Sequence, residues 1–244
     1  MSTHTERVYL YAIVDGDAVL TQPLIGLAAA PVMLLPVQHV AAVIGPVTTE
    51  QLKDTPAAAL IHEQVIETLM ADRRVLPVRF GTIFSSVAAL TAALAARSAT
   101  LYADLERLDG LVEIGVRVLW DGAARRTAAD VAAHQAGADA SDGPGAQYMR
   151  ARMAEMATER QLRHAAQALV AAWADYLTPH VVALSTQVLV TAEIPASIAC
   201  LVKRTDVAAL VDVIAQAPQQ AADIRAVCTG PWPPYHFVSD AQGE

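Results

Sequence analysis

Arg-Arg-Val-Leu-Pro-Val-Arg-Phe-Gly-Thr-Ile-Phe occupies residues 73–84, between two segments with helical periodicity. The apolar residues within 75–80 predict a short buried strand. Pro77 lacks the N–H that a sheet ladder needs, so we expect this strand at a sheet edge or with an irregular start. Gly81 predicts a tight turn or a close approach of the backbone. The stretch therefore predicts a strand at the edge of a sheet, followed by a turn.

Arg79 places a cation inside this apolar run. One interpretation is that its charge reaches solvent or pairs with a carboxylate of the same chain. The other is that its planar guanidinium recognises a carboxylate of a partner protein. The residues by themselves leave both interpretations open.

A helix is predicted on each side of this stretch. Thr55 followed by Pro56 is typical of a helix start, and Thr48 with Gln51 has capping-box spacing. The helix that runs to about residue 71 carries an apolar stripe: Ile61, Val65, Ile66, Leu69 and Met70. His62 borders the stripe, and we interpret it as a satisfied structural histidine, or one that bonds the 75–80 strand or lies at a partner surface. Ser85 or Ser86 caps the next helix, which breaks near Ser98.

The N-terminal part of the chain also contains short apolar runs separated by proline and glycine. They predict a meander of strands at residues 7–14, 24–28, 32–36 and 40–44. Combined with the two helices, these strands predict an α+β domain over residues 1–109, related to the ferredoxin-like fold.

A domain boundary is predicted at Asp109-Gly110. Beyond it the order of elements is β-α-β-β-α-β, which is the ferredoxin-like order and places the first and third strands at the centre of the sheet. The predicted elements are a strand at 111–120, a helix at 125–135, a glycine-rich loop at 137–145, a helix at 146–177, strands at 181–190 and 197–203, a helix at 206–217 and a strand at 222–228. The sequence thus predicts a C-terminal ferredoxin-like domain over residues 110–244.

The segment 230–237 ends this domain with a run of prolines and aromatic residues. Its prolines make it stiff and extended. The side chains of Trp232, Tyr235 and Phe237 add aromatic surface to this extended segment. The segment either folds back to hold the two halves of the chain together or presents an adhesive face; folding back is favoured, because aromatic surface is costly to leave in water.

Composition excludes several classes of function. The chain has 244 residues and a net charge of −8, which argues against general nucleic-acid binding. No run of about 18 apolar residues predicts a membrane span, and the N-terminus lacks the pattern of a signal peptide, so we expect a cytoplasmic protein. Cys200 and Cys228 fall on strands about 10 Å apart in the predicted sheet, too far for a disulfide.

Motifs for catalysis or for a cofactor are not found in the sequence. No phosphate-binding glycine loop is present, and the seven histidines have no metal-ligand spacing to a cysteine or to one another. We therefore predict no cofactor and no metal, and no residue is supported as catalytic. A serine or cysteine nucleophile stays open at this point, because the members of a catalytic triad are not contiguous in sequence.

Two segments of the chain resemble the signatures of the GvpL/GvpF gas vesicle protein family. They are Val-Leu-Pro-Val-Arg-Phe-Gly-Thr-Ile-Phe at 75–84 and Gly-Pro-Trp-Pro-Pro-Tyr-His-Phe-Val at 230–238. Other segments follow in the family's order: the opening strand, the helix that contains His62, the strand at 110–118 and the start of the long helix at 145–148. The F type and the L type are not separated by these residues.

The resemblance implies an accessory protein of gas vesicle formation, hence of buoyancy, with an α+β N-terminal domain and a ferredoxin-like C-terminal domain. It implies binding to the small hydrophobic wall protein and to other accessory proteins, and no reaction. Our candidate residues for a partner-binding or interdomain site are Arg79, Phe80, Trp232, Tyr235 and His62. The competing hypothesis is a small-ligand-binding or sensor protein, because fold does not determine function. A third is a purely structural minor component of the vesicle wall.

Overall fold

A computed structural model describes residues 7–48, 55–135, 144–189, 193–217 and 223–239 of the chain. Its contacts divide the chain into two compact units. The first unit combines Met1–Glu113 with Trp232–Glu244, and the second is Ile114–Pro231. The domain ranges 1–109 and 110–244 stay a prediction; the units differ from them chiefly because the C-terminal segment groups with the N-terminal part of the chain.

The sheet of the first unit is built around strand β1, Arg7–Asp15. Its order is β2 (Met33–Val37), β3 (Val40–Val47), β1, β4 (Leu76–Pro77), and β5 (Ile83–Phe84) also pairs with β1. Every residue of β1 from Val8 to Val14 is buried, which explains its unbroken apolar sequence. The antiparallel register with β3 shifts between Leu10 and Ala12. The predicted strands at 7–14, 32–36 and 40–44 are confirmed.

The predicted strand at residues 24–28 is wrong. Leu27–Ala29 forms a short 3₁₀ turn, and only Ile25 makes an isolated bridge, to Pro31. The hydroxyl of Tyr11 accepts a hydrogen bond of 2.7 Å from the backbone N–H of Leu27 and occupies the space beside Gly26 that a side chain would need. A tyrosine from the neighbouring strand therefore fixes a turn where composition alone predicts a strand.

Three helices complete the first unit: α1 (Pro56–Met70), α2 (Val87–Ala95) and α3 (Ser98–Arg107). Thr55 caps α1 by accepting from the N–H of Ala58, and Ser86 caps α2 by accepting from the N–H of Ala89. The predicted helix starts at Thr55 and at Ser86 and the break near Ser98 are thus confirmed. The capping box proposed for Thr48 and Gln51 includes residues outside those that the structure describes.

The stretch at residues 73–84 forms two short strands instead of one. β4 pairs with Ala12 and Ile13 of β1 and lies at the end of the strand order, as Pro77 predicts. Beyond Pro77 the chain leaves the sheet and turns at Gly81, whose φ of 86° lies in the left-handed region that favours glycine. It then returns to β1 as β5. The strand predicted over 75–80 is therefore shorter than expected: after β4 the N–H of Val78 still donates to the carbonyl of Tyr11, at 3.2 Å, and the chain then turns away from β1.

The second sheet has the order β7 (Ala183–Val188), β8 (Ala196–Lys203), β6 (Leu111–Leu119), β9 (Arg225–Trp232). The first and third of these strands in chain order lie at the centre, as predicted. The helices are α4 (Gly122–Gln135), α5 (Pro144–Leu177) and α6 (Val207–Ala215). The core of the second unit includes alternate residues of β6 and the C-terminal half of α5. Neither Cys200 nor Cys228 forms a disulfide with a residue that the structure describes.

The two halves of α5 differ in burial. Met149, Met153 and Met156 are exposed, whereas Leu162 and Leu169 are buried. Thr158 at the start of the buried half donates a hydrogen bond to Asp130 of α4. Among the described residues, no helix is long and apolar enough to cross a membrane.

Candidate partner-binding cleft

A cleft of about 430 Å³ opens on the first unit. Four of the five candidate residues predicted from the sequence line it: Arg79, Phe80, Trp232 and Tyr235. Its remaining walls are Glu63, Glu113 and His236. Segments more than 150 residues apart in the chain, at 79–80 and 232–236, thus meet in one concave surface.

His62, the fifth candidate, lies beneath this surface and is fully buried. Its Nε2 lies 3.0 Å from the carbonyl of Val78, which can only accept, so Nε2 carries the proton. Its Nδ1 is then the acceptor for the hydroxyl of Tyr9, at 3.0 Å. Burial lowers the pKa of His62 to about 4, so the ring is neutral at pH 7. The sequence-based interpretation of a satisfied structural histidine that bonds the neighbouring strand agrees with this geometry.

Tyr9 connects His62 to the turn that presents Arg79 and Phe80. Its hydroxyl accepts a hydrogen bond of 2.9 Å from the N–H of Gly81 while it donates to His62. Burial raises the pKa of Tyr9 to about 12, so the hydroxyl keeps its proton and this donor role. The ring of Phe80 lies edge-on to His62, with centroids 5.6 Å apart. This chain of contacts holds the turn at Gly81 in place.

The guanidinium of Arg79 is exposed and forms no ion pair with a residue that the structure describes. Its backbone carbonyl accepts from both the N–H and the hydroxyl of Thr82, at 3.2 and 2.7 Å. The backbone is therefore held while the charge is left in solvent at the edge of the cleft. The exposed side chain agrees with the first interpretation of Arg79, in which the charge reaches solvent, and recognition of a partner's carboxylate stays a prediction.

Two carboxylates hold the C-terminal segment, residues 232–239, at the cleft. The hydroxyl of Tyr235 donates to Glu63 Oε1 at 2.8 Å. The backbone N–H and the Nδ1 of His236 donate to the two carboxylate oxygens of Glu113, at 3.0 and 2.7 Å. Glu113 is only 5% exposed, so these bonds satisfy a buried charge.

A third carboxylate holds the end of the same segment. Asp104 is 3% exposed and accepts from the backbone N–H of Ser239 at 2.6 Å and from its hydroxyl at 2.9 Å. Arg97 and Arg107 donate to the backbone carbonyls of Ser239 and Phe237, each at 2.6 Å. The segment therefore folds back onto the first unit, as favoured from the sequence.

Glu63 is a partly satisfied carboxylate in the cleft wall. Burial raises its pKa, and the hydrogen bond from Tyr235 counteracts that rise. The other carboxylate oxygen, Oε2, is buried and has no hydrogen-bond partner among the described residues. Burial also raises the pKa of Tyr235, with the charge of Glu63 adding to the effect. The cleft therefore contains one carboxylate with spare acceptor capacity.

Sequence reasoning did not identify Tyr9, Glu63, Asp104, Glu113 or His236. A signal existed for two of them. Asp104 shares the buried face of α3 with Leu101 and Leu105, and Glu113 interrupts an otherwise apolar strand. A carboxylate at a core position predicts a specific hydrogen-bond partner. Nothing in the sequence identifies Ser239 or His236 as those partners. Among the described residues, no group of three or more histidine, cysteine or acidic side chains could hold a metal ion.

Two crystal structures share this fold. The gas vesicle protein GvpF from Microcystis aeruginosa superposes with a TM-score of 0.74 at 20% sequence identity, over 97% of this chain and 99% of that one. GvpF from Anabaena sp. PCC7120 superposes with a TM-score of 0.72, also at 20% identity, over 98% of this chain and 99% of that one. At this identity the likeness establishes the α+β fold of a class of gas vesicle proteins.

Sequence relatives extend the likeness. Gas vesicle protein L of Streptomyces sp. (strain CB03234) is 28% identical over 98% of this chain and 95% of its own length. Gas vesicle protein F2 of Halobacterium salinarum is 30% identical over 131 residues, 52% of this chain. The chain spans 59% of the length of F2, and 57% of that of F1 from the same organism. Residues 7–239 match the family described as gas vesicle synthesis protein GvpL/GvpF, and the chain therefore belongs to that family, as its resemblance predicts.

Proposed function

We propose that this protein is a non-catalytic accessory protein that binds the small hydrophobic wall protein of the gas vesicle and assists its nucleation or growth. It acts in the cytoplasm, in association with gas vesicles and other accessory proteins, and needs neither ATP nor a cofactor. The observation that carries the proposal is the cleft that brings together Arg79, Phe80, Trp232 and Tyr235. Family membership supports the gas vesicle role.

The composition of the cleft supports a protein partner. Tryptophan, tyrosine and arginine are enriched among the residues that dominate binding energy at interfaces. Trp232 is 38% exposed and Arg79 is exposed, so both retain surface to bury on binding. An exposed arginine fork can pair with a carboxylate of the partner, while the aromatic surface covers its apolar side chains. The wall protein therefore binds with both apolar and charged contacts.

We also propose the domain organisation that the family resemblance implies. The strand order of the second sheet, with its first and third strands central, supports a ferredoxin-like C-terminal domain. A modified ferredoxin-like domain over 1–109 and a second domain over 110–244 stay part of this proposal.

A small-ligand-binding or sensor role is the second candidate. The cleft volume of about 430 Å³ falls within the range of small-molecule sites and supports it. Mass spectrometry of the natively purified protein distinguishes the two candidates. A stoichiometric metabolite that competes with the wall protein would favour the sensor, whereas its absence together with capture of the wall protein favours the accessory protein.

The test of the proposed function is a pull-down of the wall protein by the full chain. Arg79→Ala removes the free cation at the cleft, and Arg126→Ala removes an exposed arginine from α4 as the matched control. We expect wild type and Arg126→Ala to capture the wall protein and Arg79→Ala to lose most of the capture. Thermal melting checks that Arg79→Ala remains folded.

Two results would contradict the proposal. If wild type captures no wall protein, alone or with other accessory proteins present, direct binding is wrong. If both arginine variants lose capture equally, net charge and not the cleft controls binding. Retention of the chain on washed vesicles, measured by quantitative mass spectrometry, separates a transient accessory protein from a minor wall component.

A further inference from the structure

We propose that the cleft recognises a lysine or arginine side chain of its partner, whose alkyl stem lies against Phe80 and Trp232 and whose charge lies next to Glu63. This inference rests on the proposed function, because it names the chemistry of the segment that the same cleft binds. It goes beyond that function by assigning a charge and a side-chain class to the ligand.

The charges of the cleft favour a cation. Its walls contain the carboxylates of Glu63 and Glu113 and the single guanidinium of Arg79. Glu113 is occupied on both oxygens by His236. Within the described part of the chain, Glu63 is occupied on one oxygen: Oε1 accepts from Tyr235, while Oε2 is buried without a partner there. A buried acceptor without a donor is costly, so a donor that displaces the groups covering Oε2 gains a strong charge-assisted hydrogen bond.

The aromatic residues of the cleft favour a side chain with a long apolar stem. Phe80, Trp232 and Tyr235 line the cleft, and Trp232 remains 38% exposed. Lysine and arginine bury their methylene stems against such surfaces while the charge lies beyond, and their cations are attracted to aromatic faces. An acidic side chain has neither a long apolar stem nor a cation that the aromatic faces attract, and the carboxylate of Glu63 repels it.

Arg79 has a complementary role at the exposed edge of the cleft. It forms no ion pair with a described residue, so it can accept a carboxylate that lies near the basic side chain in the partner. The cleft then recognises two opposite charges of the partner, with the cation next to Glu63 and the anion next to Arg79. This arrangement selects the orientation of the bound segment as well as its composition.

The test uses three soluble probes that share a backbone: Nα-acetyl-lysine amide, Nα-acetyl-norleucine amide and Nα-acetyl-glutamate amide. Binding is followed by NMR on the full chain labelled at its tryptophan indole nitrogens. Trp232 is the reporter, assigned with Trp232→Phe, and the buried Trp120 and Trp173 are internal controls. We expect the lysine probe to shift the Trp232 signal and neither of the other two. The concentration that it needs should be about tenfold lower than that of the norleucine probe, which is the affinity ratio for one hydrogen bond to a charged group.

Glu63→Gln is the variant that tests the charge, because glutamine keeps an acceptor for Tyr235. It should bring lysine and norleucine to within about twofold of each other. Glu159→Gln, at an exposed position of α5 outside the cleft lining, should keep the wild-type ratio. Equal binding of lysine and norleucine to wild type, or tighter binding of glutamate, would overturn the inference without any variant.

The outcomes also separate this inference from the proposed function. If the wall protein is captured in an Arg79-dependent manner but the lysine probe has no advantage, only the cation assignment is wrong. If the lysine probe binds with the expected preference but the wall protein is not captured, the cleft binds a basic segment of a different partner. In that case the cation assignment stands and the wall protein is the wrong partner.

Discussion

His62 illustrates how a single buried side chain supports the cleft from below. The ring is neutral. Its Nδ1 accepts a hydrogen bond from the hydroxyl of Tyr9, and its Nε2 donates one to the carbonyl of Val78. Protonation at Nδ1 would place a hydrogen where the hydroxyl of Tyr9 donates. The hydrogen bonds that satisfy the neutral imidazole therefore disfavour its protonated, charged form.

The pH dependence of stability follows from the pKa of His62. That pKa falls from 6.5 to about 4 on folding, so the unfolded chain takes up the proton more readily. The resulting stability is fully present above pH 6.5 and is lost as the pH falls toward 4; between pH 7 and 5 the loss is about 2 kcal/mol. We expect His62→Gln to lose this dependence, measured by urea unfolding across that range.

The control for this pH effect is His164→Gln, a change of an exposed histidine on α5. It should keep the wild-type dependence on pH. A wild-type protein whose unfolding free energy is constant between pH 7 and 5 would show that His62 is not held neutral by burial.

Tyr9 provides a second prediction at the scale of one residue. Tyr9→Phe keeps the ring and removes the hydroxyl that donates to His62 and accepts from the N–H of Gly81. Two buried or half-buried polar groups then lose their partner, at about 1–3 kcal/mol each. We expect a clear decrease in the unfolding free energy, whereas Tyr148→Phe, at a tyrosine that is 71% exposed, should change it by less than about 0.5 kcal/mol. Equal effects of the two variants would contradict the assigned role.

The C-terminal segment, residues 232–239, is the element that completes the cleft. It contributes Trp232, Tyr235 and His236 to the walls, yet its own contacts with the first unit are largely hydrogen bonds to carboxylates. Weakening one of these anchors should open the segment without unfolding the sheet.

Asp104→Asn tests that anchoring. It keeps the shape of the side chain but removes the charge that accepts from the N–H and hydroxyl of Ser239. We expect chymotrypsin to cleave after Tyr235 or Phe237 about tenfold faster, because the open state gains population when a bond to a charged group is lost. Mass spectrometry of the released peptide measures the rate. Asp212→Asn, at an exposed position of α6, should leave it unchanged, and an unchanged rate in Asp104→Asn itself would show that other contacts hold the segment.

The elements differ in how well local sequence predicts them. The starts of α1 and α2 are recognised correctly because Thr55 and Ser86 cap their own helices, three residues away. The turn at Leu27–Ala29 is missed because its partner, Tyr11, lies 16 residues earlier in the chain. The residues 75–80 are interpreted as one strand because apolar composition does not show where pairing with β1 stops.

At the scale of the whole molecule, the division into two units predicts which of them the C-terminal residues stabilise. The C-terminal residues Trp232–Glu244 group with the first unit, although Trp232 is the last residue of β9 in the second sheet. A chain truncated after Pro231 loses the contacts of Tyr235 with the core around β1 and the bonds of His236 and Ser239.

We therefore expect hydrogen exchange in the truncated chain to accelerate by at least about tenfold at the amides of β1 and β3. The amides of β8, in the second unit, should exchange at the wild-type rate. A chain truncated after Ser239 is the matched control, because it keeps these contacts and should exchange as wild type does. Acceleration in β8 with none in β1 would show that the segment stabilises the second unit instead.

The sequence by itself determined the family, the α+β class and the starts of α1 and α2, because these depend on local patterns and on two specific segments. It also proposed four residues that line the cleft, whose role in binding stays a prediction. Only the tertiary structure decided that the C-terminal segment lies on Glu63, Asp104 and Glu113. The physical reason is that a buried carboxylate in a sequence indicates the need for a donor but not its location. Donors more than 100 residues away, such as Tyr235, His236 and Ser239, are brought to the carboxylates by the fold alone.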